Sequence, residues 1–263
     1  MQTVELNART FGDNNNPPLI ILHGLFGSSR NWTQLAGKWS EHYHVHVVDL
    51  RNHGESPHHQ IMNYQVMAAD VLGYMNSQRI QAASVLGHSM GGKVAMWMVL
   101  SHPDRVQSLI VIDIAPVDYA NHFTQIFKAL KHVPLQEITS RQQAENSMQE
   151  YIQEPLVRQF LLQNMVNREG HYRWRIPLDY IEAAISSIIA FPAINHLQPY
   201  TKPVMFIRGG QSCYLETQHH QKIKLLFPVA TITTIENAGH WVHVEQPQQV
   251  LDLFYHFLQQ QIE

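Results

Sequence analysis

The amino-acid sequence predicts an α/β fold in which helices flank a mostly parallel central sheet. Short apolar runs of strand length alternate along the chain with longer stretches that have helical periodicity. Several of those runs are apolar at every position, which is typical of strands buried on both faces. The chain has 263 residues, of which 44% are hydrophobic, and this is ample for one large core.

Seven segments are predicted to be strands. Residues 3–10 have the features of an edge strand, and a turn-forming cluster of Gly, Asp, Asn and Pro follows at 12–18. The other six segments are short, and they cover residues 19–22, 45–48, 84–86, 109–112, 204–207 and 231–235.

Five stretches between these strands are predicted to be helices. They cover residues 32–39, 63–75, 90–102, 215–227 and 247–260. In the last of them, apolar residues at 250, 251, 254, 257 and 258 form a single stripe. A stripe of this kind is typical of a helix that buries one face.

The stretch from 115 to 200 interrupts the alternation, because a crossover between two parallel strands needs only about one helix. It contains four helical faces, made by Phe123, Ile126, Phe127 and Leu130; by Ala144, Met148, Tyr151 and Ile152; by Leu156, Phe160 and Leu161; and by Tyr180, Ile181, Ala184, Ile185 and Ile188. We therefore predict a core of residues 1–114 and 201–263 and a helical cap of residues 115–200. The alternative is an insertion without function, but insertions on the carboxyl side of such a sheet usually cover the site.

Composition argues against several classes of partner. The formal net charge is −3 and only 15% of residues are charged, so neither nucleic acid nor an anionic membrane is an expected partner. Cys213 is the only cysteine, which excludes an internal disulfide and suits a reducing compartment. Residues 1–16 lack the pattern of a secretory signal, and no apolar run has the length of a membrane span. We expect a cytoplasmic protein, with its oligomeric state left open.

Histidine is frequent, with 18 residues, and this raises the question of a metal site. His44 and His46 would share one face of a strand and could chelate. No third ligand follows at a useful spacing, so we predict no metal and expect most histidines to lie in loops and on edge strands.

Residues 84–92 contain the candidate nucleophile. An apolar strand leads into G-x-S-x-G, which spans Gly87 to Gly91, and an amphipathic helix begins immediately afterwards. This strand–turn–helix arrangement exposes a serine hydroxyl at the top of a sheet, and small residues let the strand and the helix pass closely. The pattern predicts Ser89 as the nucleophile, with the N-terminal dipole of the helix directed at the developing charge.

A second motif, H-G-L-F-G at residues 23–27, follows an apolar strand. In folds with this kind of elbow, two backbone N–H groups bind the developing oxyanion, one after the nucleophile and one in an early loop. We predict Met90 and Leu25 as these donors, with Phe26 as the neighbouring alternative. His23 is expected to hold the loop by hydrogen bonds. The motif could also be an ordinary glycine turn.

Together these features resemble the α/β-hydrolase superfamily, and order and spacing match over nearly the whole chain. Residues 49–56 resemble the D-x-R-x-x-G-x-S loop of that family, which is usually structural, so Asp49 and Arg51 are not expected in the catalytic set. The family pattern places the general base directly after a glycine in the loop that follows the last strand. This implies His240, with His243 as a structural alternative.

The acid departs from the commonest family pattern. Ser212 stands where an aspartate would follow the strand after the cap, and Glu216 is expected to open the next helix. Asp113 ends a predicted strand and would emerge at the same sheet edge as Ser89. Some family members use this earlier position, and we predict Asp113 as the acid.

The chain most resembles the small bacterial esterases of the YbfF type. They share the H-G-L-F-G-S loop, the I-D-I-A-P run at 112–116, the G-G-x-S-x-Y segment after the cap and A-G-H-W-V-H at 238–243. This resemblance implies hydrolysis of small to medium acyl esters or thioesters, including acyl-CoA, through an acyl-enzyme on Ser89 and without a cofactor.

Candidate substrate contacts come from the aromatic residues Phe26, Phe123, Phe127 and Trp241, although helical spacing equally explains the two from the cap as cap core. Arg168, Arg173 and Arg175, together with Trp174, could bind a phosphorylated leaving group such as CoA. Solvated arginines are the simpler interpretation.

Two other functions remain open from the sequence. A carbon–carbon bond hydrolase, or a lyase of menaquinone synthesis, has the same fold and a similar set of residues. A non-hydrolytic receptor would keep the fold, but the intact set of Ser89, Asp113 and His240 argues against it. Turnover distinguishes a receptor from an enzyme. Cys213 has no elbow around it and is expected to be an incidental thiol.

Overall fold

A computed structural model describes residues 2–194 and 197–259. Its main sheet contains seven strands in the order β1-β3-β2-β4-β5-β8-β9, in which only β1 runs antiparallel to its neighbour. A two-stranded antiparallel sheet, β6-β7, lies apart from it. In chain order the strands are β1 Ala8–Phe11, β2 Pro18–Leu22, β3 His44–Val48, β4 Ala83–His88, β5 Val106–Ile112, β6 Met165–Arg168, β7 His171–Trp174, β8 Val204–Gly209 and β9 Thr231–Ile235.

Ten α-helices accompany these strands within the described residues. They are α1 Thr33–Trp39, α2 Tyr64–Ser77, α3 Met90–Ser101, α4 Thr124–His132, α5 Arg141–Met148, α6 Pro155–Leu162, α7 Leu178–Ile189, α8 His220–Leu226, α9 Val242–Glu245 and α10 Pro247–Gln259. No helix in the described part of the chain is long and apolar enough to cross a bilayer.

Helices cover both faces of the main sheet, and β2 illustrates why its strands are apolar throughout. Ile20 and Leu22 belong to the core shared with α2, α3 and α8, whereas Leu19 and Ile21 belong to the core shared with α1 and α10. Successive side chains of a strand point to opposite faces, so a sheet covered on both sides needs apolar residues at every position. The predicted α/β architecture is confirmed.

Two predicted elements differ from the structure. The first strand starts at residue 8 rather than 3, because earlier backbone N–H groups bind side chains instead of a neighbouring strand: Val4 donates to Asp70 and Asn7 donates to Ser56, both at 2.8 Å. Helix α8 starts at His220, after a short 3₁₀ turn that Glu216 caps. Residue 260, the last of the predicted C-terminal helix, lies outside the described residues.

Between β5 and β8 the chain forms α4 to α7 and the β6-β7 hairpin, which the sequence interpretation missed. The hairpin turns at Glu169 and Gly170, whose φ values of 53° and 84° suit a two-residue turn of positive φ. Tyr151 and Ile152 follow α5 instead of lying in it. Residues 195–196 of the predicted cap lie outside the described residues. The division into core and cap stays a prediction.

The sheet positions the candidate residues at one edge. Ser89 follows β4 and Asp113 follows the neighbouring β5, while His240 lies in the loop after β9. Because these strands are parallel, their carboxyl ends meet at the same edge, which is where ligands bind in open α/β sheets.

Candidate active site

The backbone at Ser89 has the geometry that a sharp strand-to-helix turn requires. Ser89 has φ 52° and ψ −120°, and α3 begins at the next residue. A Cβ atom at Gly87 would overlap the carbonyl group of Gly91, and one at Gly91 would overlap the carbonyl of Leu22. Only glycine therefore fits at either position, as the G-x-S-x-G pattern predicted.

A chain of hydrogen bonds joins the three residues that the sequence singled out. Ser89 Oγ lies 3.0 Å from His240 Nε2, and His240 Nδ1 lies 2.7 Å from Asp113 Oδ2. Because a carboxylate only accepts, Nδ1 carries the proton of a neutral His240, which leaves Nε2 free to accept from the Ser89 hydroxyl. The geometry is that of a nucleophile, a base and an orienting acid.

The Asp113 carboxylate is fully buried and held by three donors. Besides His240, the Gly209 N–H donates to Oδ1 at 3.0 Å, and the Ser212 hydroxyl donates to Oδ2. Sequence reasoning noted Ser212 only as the residue that replaces an aspartate. The structure instead makes it a direct partner of the carboxylate.

His240 is fixed from several sides. The ring of Tyr214 stacks on it with centroids 4.1 Å apart, and His88 Nε2 donates to its backbone carbonyl oxygen at 2.9 Å. Burial holds the pKa of His88 well below its usual value, so His88 is neutral. The sequence showed both residues inside recognised motifs but gave no sign of these contacts.

His243, the alternative base, lies outside the hydrogen-bond chain. It stacks on Trp32 with centroids 4.1 Å apart and an interplanar angle of 4°. Burial lowers its pKa to about 3, which leaves it uncharged near neutral pH. This placement suits a structural residue.

The two candidate oxyanion donors, Leu25 and Met90, border Ser89. Met90 is the first residue of α3, so its N–H has no acceptor within that helix. The Leu25 N–H has no hydrogen-bond acceptor among the residues that the structure describes. The Phe26 N–H, by contrast, already donates to His53 Nε2 at 3.1 Å. The geometry therefore supports Leu25 rather than Phe26.

Neighbouring loops hold this segment as expected. His23 donates from Nδ1 to Gly24 O at 2.8 Å and accepts at Nε2 from the Leu50 N–H at 3.0 Å. Asp49 accepts from the backbone N–H of Ser29 at 2.6 Å and of Glu55 at 3.0 Å. Both side chains hold loops.

Arg51, also expected to be structural, is completely buried. It forms an ion pair with Asp70 at 2.6 Å and donates to two backbone carbonyl groups. It lies away from the hydrogen-bond chain of Ser89.

Three of the six non-glycine residues with positive φ among the described residues belong to this site. They are Phe26 at 63°, Ser89 at 52° and Asp113 at 51°. Such residues cost free energy, of order 1–3 kcal/mol each, and persist where surrounding contacts determine the conformation. Backbone strain is thus concentrated at the candidate oxyanion loop, residues 23–27, and at the candidate nucleophile and acid.

A cavity of about 220 Å³ opens beside Ser89 and His240. Phe26, Phe123 and Trp241 line it, together with further apolar side chains from the segment between β5 and β8: Ile126, Val157, Phe160 and Leu161. Phe127 does not line it. Phe127 lies on the buried side of α4 and packs edge-on against Phe26 with centroids 5.8 Å apart, so this placement gives no support to Phe127 as a substrate contact.

A smaller cavity of about 30 Å³ lies on another side of Ser89, where Lys93 and Tyr119 contribute to its wall. Lys93 is buried on α3 and donates to the carbonyl oxygens of Val117, Ile189 and Ala190 at 2.8 to 2.9 Å. Burial lowers its pKa to about 7. These bonds join α3, which begins directly after Ser89, to the segment that follows β5 and to the C-terminal end of α7.

The basic run of the hairpin borders a different groove. Arg168, Arg173 and Arg175 line it together with residues of the loop that contains Glu55, and Arg175 pairs with Glu55 at 2.9 Å. None of these arginines lines the cavity at Ser89. The suggested contact with a phosphorylated leaving group gains no support from this placement.

The remaining candidates lie apart from the nucleophile. Glu216 caps the 3₁₀ turn that precedes α8, as expected, and Cys213 is exposed. His44 and His46 contact each other at 3.1 Å, and His46 also contacts Tyr74. The described residues contain no group of three or more His, Cys, Asp or Glu arranged to hold a metal ion.

Comparison with known proteins gives consistent results. A family model described as alpha/beta hydrolase fold matches residues 17–247. Esterase YbfF of Escherichia coli is 39% identical over 239 residues, which cover 90% of this chain and 91% of that protein. The mouse protein named sn-1-specific diacylglycerol lipase ABHD11 is 38% identical over 255 residues, covering 94% and 82% of the two chains.

A solved structure named as a marine microorganism esterase superimposes with a TM-score of 0.93. It is 39% identical in sequence, and the match covers 97% of this chain and 100% of the other. The predicted resemblance to esterases of the YbfF type is therefore confirmed. The chain belongs to the α/β-hydrolase family.

Proposed function

We propose that this α/β-hydrolase cleaves small to medium carboxylic esters or thioesters through an acyl-enzyme on Ser89. The observation that carries the proposal is the unbroken hydrogen-bond chain from Ser89 through His240 to Asp113, directly beside an apolar cavity. Relatives named esterase and lipase, at 38–39% identity over most of the chain, support the same class of reaction.

In acylation, His240 Nε2 accepts the hydroxyl proton of Ser89 while Oγ bonds to the acyl carbon. The carbonyl π electrons move to the oxygen, which the N–H groups of Leu25 and Met90 bind. When the carbonyl re-forms, the bond to the leaving group breaks and His240 protonates the departing alcohol or thiol. The buried Asp113 carboxylate stabilises the imidazolium between these steps.

Deacylation uses the same groups in reverse. His240 takes a proton from water, whose oxygen bonds to the acyl carbon, and a second oxyanion forms in the same place. Ser89 Oγ then leaves with the proton from His240, and the carboxylic acid is released. Every step uses groups of the chain, the ester and water, so the mechanism needs no cofactor.

The cavity at Ser89 favours an apolar acyl group. Its cap side is formed by aliphatic and aromatic side chains, among them Phe123, Phe160 and Trp241, and its described lining contains neither lysine nor arginine. A carbon–carbon bond hydrolase or lyase acting on a carboxylated substrate would need a cation there. Lys93, the nearby buried cation, already satisfies three carbonyl groups.

The same features argue against a receptor without turnover. A ligand-binding protein has no use for a serine, a histidine and a buried carboxylate in hydrogen-bond contact, or for strained backbone at two of them. We also propose a cytoplasmic location, because the single cysteine, Cys213, suits a reducing compartment.

Hydrolysis of p-nitrophenyl butyrate tests the proposal, with wild type, Ser89→Ala and the exposed control Ser77→Ala compared at equal concentration. We expect wild type and Ser77→Ala to turn over equally and Ser89→Ala to be inactive. A fluorophosphonate should label Ser89, identified by peptide mass. Labelling without turnover would indicate a more specialised ester, whereas neither labelling nor turnover would contradict the serine mechanism.

A further inference from the structure

The peptide groups around Phe26 are held from the core on one side and from the cap segment on the other. The Phe26 N–H donates to His53 Nε2 at 3.1 Å, and the Phe26 carbonyl oxygen accepts from Asn164 Nδ2 at 2.7 Å. The partners of His53 define its tautomer, because its Nδ1 donates to Arg51 O at 2.9 Å. Neutral His53 is therefore an acceptor at Nε2, as burial, which lowers its pKa to about 3, also requires.

Asn164 is well suited to act as a fixed donor. Its side chain is 4% exposed, and it lies directly between α6 and β6. Its backbone is anchored at both ends, since its N–H donates to Leu161 O at 3.1 Å and its carbonyl oxygen accepts from the Arg175 N–H at 2.7 Å. The amide thus reaches the oxyanion loop from a rigid position.

A continuous path of peptide groups leads from this amide to the candidate oxyanion donor. The Phe26 carbonyl shares its peptide group with the Gly27 N–H, which donates to Gly24 O at 3.0 Å. The Gly24 carbonyl in turn shares its peptide group with the Leu25 N–H, the group predicted to bind the oxyanion. Hydrogen bonds in such a row polarise and orient one another.

We propose that Asn164 is a positioning residue that orients the Leu25 N–H toward the transition-state oxygen through the peptide groups of Phe26 and Gly24. The inference rests on the proposed function, since it assumes an oxyanion formed at Ser89. Phe26 needs such support because it holds a φ of 63°, a conformation that a non-glycine residue keeps only when its surroundings determine it.

The segment between α6 and β6 makes a second contact, through Gln163, the residue before Asn164. Gln163 Oε1 accepts from Asn31 Nδ2 at 2.6 Å, and Asn31 Oδ1 accepts from the Ser28 N–H at 2.8 Å. The preceding helix α6 lines the substrate cavity through Val157, Phe160 and Leu161. An acyl group that packs against α6 therefore contacts the helix that leads directly into Gln163 and Asn164, which hold the oxyanion loop.

The substitution Asn164→Leu tests the inference, because leucine keeps the branched shape of the asparagine side chain and removes the donor. We expect kcat for p-nitrophenyl butyrate to fall about 30-fold, somewhat less than the 10²–10³ that follows loss of an oxyanion donor itself. KM should change less than twofold. The matched control is Asn146→Leu, on the exposed side of α5, which should keep wild-type kcat.

Three readouts separate positioning from a merely structural role. Active enzyme is titrated with a fluorophosphonate, so that kcat refers to competent sites alone. Affinity for a trifluoromethyl ketone, which forms a tetrahedral adduct on serine, should fall in proportion to kcat/KM. The pH at which kcat/KM is half-maximal should stay that of wild type, because His240 and Asp113 keep their contacts.

The outcomes are distinguishable. Wild-type kcat per titrated site in Asn164→Leu, or unchanged affinity for the ketone, would overturn the inference and leave the serine mechanism intact. If Asn164→Leu does not fold, Asn164→Ser is measured in its place, since its hydroxyl is too short to reach Phe26 O, and the same results are expected. A wild-type enzyme with neither fluorophosphonate labelling of Ser89 nor Ser89-dependent turnover would overturn both proposals.

Discussion

Two parts of the candidate active site are held in different ways: the hydrogen-bonded set of Ser89, Asp113 and His240, and the loop that contains Leu25. Ser89, Asp113 and His240 follow core strands, and their partners, including Gly209, come from the core as well. Residues 23–31, which include the loop of Leu25, take several contacts from the loop after β3 and two from the segment between α6 and β6. The first group depends on the sheet, and the second depends also on the segment between α6 and β6.

This difference separates two requirements of acyl transfer. Proton transfer needs a nucleophile and a base in fixed contact, which a rigid sheet edge supplies whether or not substrate is bound. Oxyanion stabilisation needs donors directed at a position that is occupied only in the transition state. Because the second requirement involves the segment between α6 and β6, substitutions there can change transition-state binding without displacing the serine or the histidine.

The largest effect is expected at the fully buried acid. Asp113→Asn keeps the shape of the side chain but cannot hold His240 in the required tautomer, and kcat should fall about 10⁴-fold, as in other serine–histidine–aspartate sites. Steady-state hydrolysis of p-nitrophenyl butyrate measures it. The control is Glu216→Gln, which should leave kcat unchanged; severe loss there with little loss in Asp113→Asn would make Glu216 the acid.

The double variant Asp113→Asn with Ser212→Asp sharpens the same point. Ser212 already donates to the oxygen of Asp113 that faces His240. A carboxylate at residue 212 would lie in the position that the family uses most often, so we expect part of the lost kcat to return. No recovery would mean that the β5 position is the only geometry this loop accepts.

The fold could be predicted to a large extent because its signals are local. Continuous apolar runs mark strands buried on both faces, and G-x-S-x-G between a strand and a helix predicts the turn at Ser89. The β6-β7 hairpin was missed because its strands are short and half exposed, and because its turn, Glu169-Gly170, lies in a stretch interpreted as helical. Where the sequence pattern is this weak, packing against neighbouring elements decides whether a hairpin forms.

Site residues could be predicted from the sequence only where they lie in a motif whose chemical role is known. Ser89 and His240 lie in motifs, whereas Ser212 and Asn164 contact residues that are 99 and 138 positions away in the sequence. Phe127 shows a further limit, because the spacing of aromatic residues in α4 does not tell which side of the helix faces the cavity. Helical phase relative to the core decides that, and the sequence alone does not give it.

The pH dependence of stability provides a second test, with an effect of intermediate size. It rests on two buried neutral histidines: His53, which binds the Phe26 N–H, and His243, which lies three residues after His240. Burial lowers the pKa of each to about 3, below the value of about 6.5 in the unfolded chain. The unfolded state therefore binds protons first as pH falls, and stability that is full above pH 6.5 is lost progressively toward pH 3.

Each such histidine should contribute a slope of about 1.4 kcal/mol per pH unit within that window. Urea denaturation at pH 5.0, 5.5 and 6.0 measures it for wild type and for His243→Gln, where the slope should drop by about that amount. The exposed control His42→Gln should keep the wild-type slope. An unchanged slope in His243→Gln would mean that His243 is protonated in the fold.

The smallest effect is expected from two aromatic residues of the cap that the sequence treated alike. Phe123 lines the cavity at Ser89, whereas Phe127 is buried behind Phe26. Phe123→Leu should therefore raise kcat/KM for the octanoate ester relative to the butyrate ester about fivefold, near the lower limit of what one methylene group is worth in an apolar pocket. Phe127→Leu, the matched variant, should leave the ratio within twofold and lower only the free energy of unfolding. A larger change in the ratio at Phe127 would mean that the acyl group enters the cap interior, beyond the cavity wall that Phe26 and Phe123 now form.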